Sequence, residues 1–439
     1  MILRSIAFLL VASACLAQTT RSTTASNSPE DISALTVQAN QGNAAAQRKL
    51  GDAYLRGRGV TQNNAEAVRL FRAAADNGNA EGQYTLGSLY ATGLAVLRDD
   101  SEATKWFLKA AENGSAKAQY NMGVRYAYAR GVSKDDKQAA TWFRKSAEQG
   151  FAPGQLGLAA GYANGLGLPQ DNGEALKWYT KAAEQGSAEA QTQVGLIYYK
   201  GEGVPVSYET ALLWFEKAAG QGNADAEFNL GTMFERGRGV AQNLPKSVEH
   251  YRLAVEHGSA SALNNLASLY QHGTGVAQDQ PEAMRLYTMA ANKGVFEAQN
   301  YLAGAYLKGN GVRKDEVEGA KWMQLAAAHG NAEAECNLAI LYQTGTGLPQ
   351  SFNDALTWYE KAAELGFAKA QHNLGAIYGN GQGIAKDVVK AYKWLLLAQK
   401  NGYEDAQPAL EWLKPQMTSQ QIAQAQVLAD EWTRTHSGR

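Results

Sequence analysis

The sequence predicts an all-α fold: a superhelix of ten two-helix units with helical caps, running as one continuous domain. Three observations predict it. Glycine returns with a period of 36 residues, the stretches between glycines carry apolar residues at helical spacing, and both ends of the array depart from the pattern as caps do.

The period is read from three glycine series. The first is Gly57, Gly93, Gly165, Gly201, Gly237, Gly273, Gly309, Gly345 and Gly381, with Ala129 in its one vacancy. The second lies two residues later, from Gly59 through Gly203 and Gly239 to Gly383, with Ala95 in its gap; the third runs unbroken from Gly42 to Gly402. Together they take 29 of the 45 glycines, so glycine serves here as punctuation. One loop, IYYKGEGVP with Gly201 and Gly203, looks like part of a phosphate-binding loop. Its chemistry argues otherwise: Lys200 precedes the glycines, no G-K-[ST] follows, and no strand leads in. Such pairs, Gly57 with Gly59 and Gly237 with Gly239 among them, are predicted to end one helix and reverse the chain. The third series is predicted to stop the other helix in the left-handed conformation, which glycine adopts without a Cβ clash.

Between the glycines the pattern is helical. One half of each unit reads like AEFNLGTMFERG, with Phe228, Leu230 and Phe234 at helical spacing and Gly231 beside them; an aromatic residue closes this half in all ten units, from Tyr54 to Tyr378. The other half reads like NGEALKWYTKAAEQG, where Ala175, Trp178, Tyr179, Ala182 and Ala183 form one apolar stripe, with Trp178 expected in the core. Asn63, Asp99, Asp135, Asp171, Ser207, Asn243, Asp279, Asp315, Ser351 and Asp387 stand where this second helix needs an N-cap. Each unit is therefore two antiparallel helices of about 12–15 residues, which need packing to be stable.

The N-terminal stretch MILRSIAFLLVASACLAQ carries one basic residue, Arg4, then an apolar run from Ile6 to Ala12, then small residues. That is the layout of a secretory signal peptide, residues 1–17, with cleavage after Ala17. The segment ASAC permits an alternative, lipid attachment at Cys15. Residues 18–28 are Ser/Thr-rich and read as a flexible tether. A lone capping helix is predicted over 29–42, with Ser28 as N-cap and Pro29 in first position, and the ten repeats fill 43–402, so that the array runs from 29 to 402. Residues 403–439 supply further capping helices, one stopped by Pro415 and the next opened by the capping box Thr418–Gln421. Polar outer faces on such ends keep a repeat array soluble.

Charge excludes some functions. The formal net charge is −1 with both signs interspersed, so neither nucleic acid nor an anionic membrane surface is an expected partner. No later apolar run is long enough for a transmembrane span, and removal of the signal leaves one cysteine, Cys336. Six scattered histidines include His250 and His257 but no metal-ligand spacing, so no metal or cofactor is expected. The acid pairs Asp99–Asp100 and Asp135–Asp136 fall at helix starts and read as caps, while basic residues such as Arg56, Lys200, Arg236 and Lys308 end first helices, where they suit the helix dipole. No catalytic constellation is present, and none is predicted.

The Leu-Gly-x-x-Tyr and Ala-x-x-x-aromatic spacings echo the tetratricopeptide pattern. The 36-residue period, the G-x-G turn and the endings ALKWYTKAAEQG, ALLWFEKAAGQG and ALTWYEKAAELG resemble Sel1-like repeats, over about Asn43 to Gly402. Unit six departs in placing His250 where Trp178 and Trp214 stand. The resemblance implies a right-handed superhelical α/α solenoid and a noncatalytic scaffold or adaptor that binds a protein or peptide partner. With the signal peptide, that reading places it in the periplasm or outside a bacterial cell. The alternative is a cell-wall or polysaccharide-binding module with tyrosines as stacking platforms. A third is a β-lactamase-like hydrolase, since some exported relatives are linked to β-lactams; those carry a cysteine pair per repeat, which this chain lacks. One helical column varies from unit to unit: Arg48, Tyr84, Tyr120, Leu156, Thr192, Phe228, Asn264, Asn300, Cys336 and His372. From it and its surroundings Tyr84, Tyr120, Tyr128, Tyr199 and Phe228 are the candidate exposed anchors for a partner, the alternative being packing against a neighbouring unit.

Overall fold

The computed structural model describes residues 29–436, which hold 23 α-helices and no strand. The predicted signal peptide, Cys15 and the tract 18–28 lie outside the described residues. First helices run from Ala44–Arg56, at 36-residue steps, to Ala368–Asn380; second helices run likewise from Asn64–Asp76 to Val388–Lys400. Every second helix starts at the predicted cap, whose side-chain oxygen accepts from a backbone N–H two or three residues on, as Asp171 does from Glu174. Among the described residues those with positive φ are the 29 glycines of the three series together with Ala95 (φ 65°) and Ala129 (φ 55°), the residues in the two vacancies. The turn therefore keeps its shape there, at a strain of about 1–2 kcal/mol per alanine.

The two loop glycines do different work. Gly201, with φ 74°, ends its helix; a Cβ on Gly203 would lie 2.7 Å from the Cβ of Asn172 in the preceding repeat. At Gly167 the clash would be with the backbone, 1.9 Å from the Asp136 carbonyl oxygen. The second glycine is thus where consecutive repeats approach closely, backbone to backbone at Gly131, Gly167, Gly275 and Gly347.

The core follows from a small residue opposite a large one. Gly51, Gly87, Gly123, Gly195 and Gly231 in first helices lie against the rings of Phe71, Phe107, Phe143, Phe215 and Tyr251 in second helices, so close that a Cβ would be tight at Gly51 and Gly87 and would clash at Gly123, Gly195 and Gly231. The neighbouring tryptophan is more peripheral. Trp178 is only half-buried, a correction to its expected core place; Tyr179 is the buried ring of that repeat. Lys181 lies 4.1 Å above the Trp178 ring, and Lys109, Lys145, Lys217 and Lys361 cover Trp106, Trp142, Trp214 and Trp358 in the same way. Lysine follows the aromatic pair in the motif because its stem shields the indole while its charge sits over the ring face.

A buried amide joins the repeats. Gln83 donates from Nε2 to the Ala75 carbonyl of the preceding second helix, and its Oε1 accepts from Asn113 Nδ2 at the end of its own. Gln47, Gln119, Gln155, Gln191 and Gln371 make the same two bonds, and Gln299 does so with His329 as donor. Each rung gives a second donor to a helix-end carbonyl that already accepts from the glycine N–H three residues on, as Ala75 does from Gly78.

The chain divides into two compact units. The first ends at Ala226 and holds the cap helix Pro29–Asn40 and repeats one to five; the second, from Glu227, holds repeats six to ten and the C-terminal caps. At the C-terminus the helix Ala406–Leu413 passes into a short 3-10 turn, Lys414–Gln416. The helix Ser419–His436 then opens with Thr418 N–H donating to Gln421 Oε1 and Gln421 N–H to Thr418 Oγ1.

Candidate functional site

The sequence candidates fall on first helices and in the turns after them. The turn glycines Gly57, Gly59, Gly201, Gly203, Gly237 and Gly239 all have positive φ. Tyr120 is not an exposed anchor: it is 2% exposed, packed between Phe143 and Phe151 at ring distances of 5.8 and 6.0 Å. The cause is its column, which faces the residue opening the next repeat. Thr192 pairs with Asn223 at 3.1 Å and His372 lies 4.9 Å from Tyr403, each 31 residues ahead as Phe151 is of Tyr120. Tyr84 and Phe228 are half-buried against Phe107 and Tyr251, 5.6 and 5.7 Å between rings. Tyr128, half-buried under the Arg130 guanidinium, has its hydroxyl pKa raised by burial; Tyr199 is half-buried edge-on to Tyr208 at 5.3 Å.

In the second unit another set of positions comes together. Asn229, Asn265, Asn337 and Asn373 share one first-helix column, half-buried, with Tyr301 in the place between. Asn265 donates to the Tyr251 hydroxyl at 3.1 Å and Asn373 to that of Tyr359 at 3.2 Å. These hydroxyls in turn donate to Glu235 and Gln343, at 2.6 and 2.7 Å, and Tyr287 donates to Gln271 at 3.0 Å. Burial pushes the Tyr287 hydroxyl up to about 12 and raises those of Tyr251 and Tyr359, so all three stay protonated donors. The Tyr287 ring stacks on Tyr301 at 3.9 Å.

Three residues along each helix the column reads Thr232, Ser268, Gly304, Ile340, Ala376 and Trp412. Gly304 is inside a helix, yet an added Cβ would meet nothing within 4 Å. Every other helix-interior glycine among the described residues has a neighbour at that range. A mid-helix glycine is worse than alanine by roughly 0.5–1 kcal/mol, and here no packing accounts for it. Trp412 is 56% exposed, with Lys386 Nζ 6.0 Å from its ring and hydrogen-bonded to Gln416. Neutral amides, hydroxyls, aromatic surface and a notch without a side chain suit peptide groups, which offer both a donor and an acceptor. The sequence reading missed this set. The signal available was an Asn column at 36-residue spacing and a tyrosine three places before a glycine with no aromatic opposite.

The groups that carry chemistry elsewhere are engaged otherwise. Cys336 is fully buried, which pushes its thiol up to about 12, far from a reactive thiolate. His250 Nδ1 lies 2.7 Å from Glu227 and its ring stacks on Phe234. Asp99 and Asp135 cap their helices, Asp100 pairs with Arg98 and the buried Arg125, and Arg56 and Lys200 pair with Asp52 and Glu202. Among the described residues no three His, Cys, Asp or Glu side chains group as metal ligands, and no helix is long and apolar enough to cross a membrane.

The Sel1 repeat model matches ten consecutive segments, from 44–79 to 368–403. The structure is similar to that of c5321, a protective antigen present in uropathogenic Escherichia coli strains that displays an SLR fold, at 30% identity and TM-score 0.58 over 92% of this chain and 94% of that one. It is also similar to a Sel1 repeat protein from Oxalobacter formigenes, at 32% identity and TM-score 0.57 over 73% of this chain and 95% of that one. No curated protein matches. With ten matched segments laid over its ten helix pairs, the chain belongs to the Sel1 repeat family.

Proposed function

We propose that this protein is an exported, noncatalytic scaffold that holds a protein partner in the bacterial cell envelope, on the first-helix face of its second unit. The observation that carries the reading is Gly304, a helix-interior glycine whose open side lies beside Tyr301 in a row of amide side chains. Glycine is favoured where a ligand backbone approaches closely. Trp412 supplies an exposed aromatic anchor at the end of the same column, the residue type most enriched at binding hot spots. Export rests on the layout of residues 1–17, with Cys15 as the site of a lipid tether in the other form of that reading.

The test is retention from envelope extract by immobilised residues 18–439, beside a column carrying Gly304→Leu and Trp412→Ala. A protein held by the first and released by the second is expected. Equal retention by both would move the site elsewhere. Depletion of the protein on insoluble wall polymer, with no protein retained, would instead establish the polysaccharide-binding alternative.

A further inference from the structure

Three buried rung positions hold no amide, Glu227, Leu263 and Glu335; Glu227 meets His250 Nδ1 at 2.7 Å, whereas Glu335 keeps a buried oxygen without a hydrogen-bond partner. In repeat nine the rung position is Glu335, 5% exposed, on the helix Ala332–Thr344. A rung glutamine donates to the carbonyl eight residues earlier and accepts from the side chain thirty residues later, as Gln371 does with Ala363 and Asn401. For Glu335 those partners would be the Ala327 carbonyl and Leu365, which has no donor. Its Oε2 is buried and accepts from nothing. The Ala327 carbonyl keeps its bond from Gly330 N–H but lacks the rung donor that Ala75 and Ala363 have.

We infer that Glu335 is a proton-operated rung: protonated, it donates to the Ala327 carbonyl and completes the joint between repeats eight and nine; ionised, it leaves that joint open. The proton comes from solvent, and the only bond made besides O–H is the hydrogen bond to the carbonyl. Of the charges on packed elements, Lys361 on the helix Phe352–Glu364 opposes protonation, while burial favours it more strongly. On the helix Glu316–Ala327 the ionisable groups Glu316, Glu318 and Lys321 lie in its first half, with Glu318 and Lys321 paired to each other and Glu316 to Lys314; beyond it His329 is engaged with Gln299. On its own helix Glu333 and Cys336 are nearest in sequence, and on the following first helix Lys369 and His372 are the titratable groups. A buried carboxylate without a donor is held at the expense of stability, and neutral glutamine at the same place is not. Acidification therefore tightens this joint, which lies within the unit proposed to hold the partner.

Sign and size follow. With the folded-state pKa raised, stability from this group is fully present below the ordinary carboxylate range and is lost as pH rises through the folded value. The experiment is amide hydrogen exchange of the full mature chain between pH 5 and 7.5, wild type against Glu335→Gln, read on segments 316–331 and 332–344. After correction for intrinsic rate, the protection of wild type relative to the variant is expected to fall with rising pH, the pH response of other groups being common to both proteins. The variant should be better protected at pH 7.5, by about tenfold for each unit by which the pKa is raised. Should the variant misfold, infrared detection of a protonated buried carboxyl in wild type, lost on raising pH in step with protection, supports the rung. Identical pH profiles in the two proteins, or a carboxylate signal throughout, would overturn it.

Discussion

The two units share one frame and use it differently. From residue 29 to 226 five rungs run without a break, Gln47, Gln83, Gln119, Gln155 and Gln191, each with an Asn or Gln donor thirty residues on. From 227 to 436 rung positions also hold Glu227, Leu263 and Glu335. The core ring differs as well. Phe71, Phe107, Phe143 and Phe215 dominate the first unit, with Tyr179 the exception; Tyr251, Tyr287 and Tyr359 in the second reach hydrogen-bond partners on first helices through their hydroxyls. The second unit thus uses rung and core positions for other side-chain contacts. A repeat frame set by glycine turns tolerates this, because each repeat is held mainly by its neighbours.

The largest effect should fall on what the units have in common. Gly167→Val and Gly347→Val each place a Cβ 1.9 Å from a backbone oxygen, of Asp136 and Glu316, at φ 71°. Each should lose roughly 3–5 kcal/mol in urea unfolding, from overpacking added to backbone strain. Unequal losses would show that the frame is not shared. The ring swap is smaller and one-sided. Tyr251→Phe removes the hydroxyl that joins Glu235, Thr232 and Asn265 and should lose about 1–2 kcal/mol, measured the same way. A neutral or stabilising result would reduce that network to incidental contact.

The smallest effect is a pH dependence confined to the second unit. His372 Nδ1 is buried without a hydrogen-bond partner, and burial lowers its pKa, against the field of Asp405. The unfolded chain therefore takes up the proton first. Stability is complete above the ordinary histidine range and declines as pH falls toward the folded value. Thermal unfolding of wild type and His372→Phe across pH 5–7.5 reads it, since the variant should lack this part of the slope. An unchanged slope would assign the acid response to other groups.

Much of the fold is legible because glycine and cap residues act locally. Gly42 or Asp171 says the same thing in every copy, and Ala95 and Ala129 show where the position, not the residue, dictates a left-handed turn. The site is less legible because it depends on neighbours 30 to 36 residues away. Tyr120 reads as a free aromatic until Phe151 is known to lie against it, and Gln83 reads as surface until Asn113 and Ala75 enclose it. Trp412 was hidden for another reason: a cap is expected to be inert, and its exposure is visible only in three dimensions.

The central claim is that a partner lies on the first-helix face of the second unit. A photo-crosslinking residue at the exposed position 308, one turn beyond Gly304 on the same helix, compared with position 92 in the equivalent column of the first unit and with the exposed Leu213 position on a second helix, tests it most directly. The account predicts that one envelope protein is captured from position 308 and neither control captures it. Capture from position 92 or 213 but not 308 would contradict it.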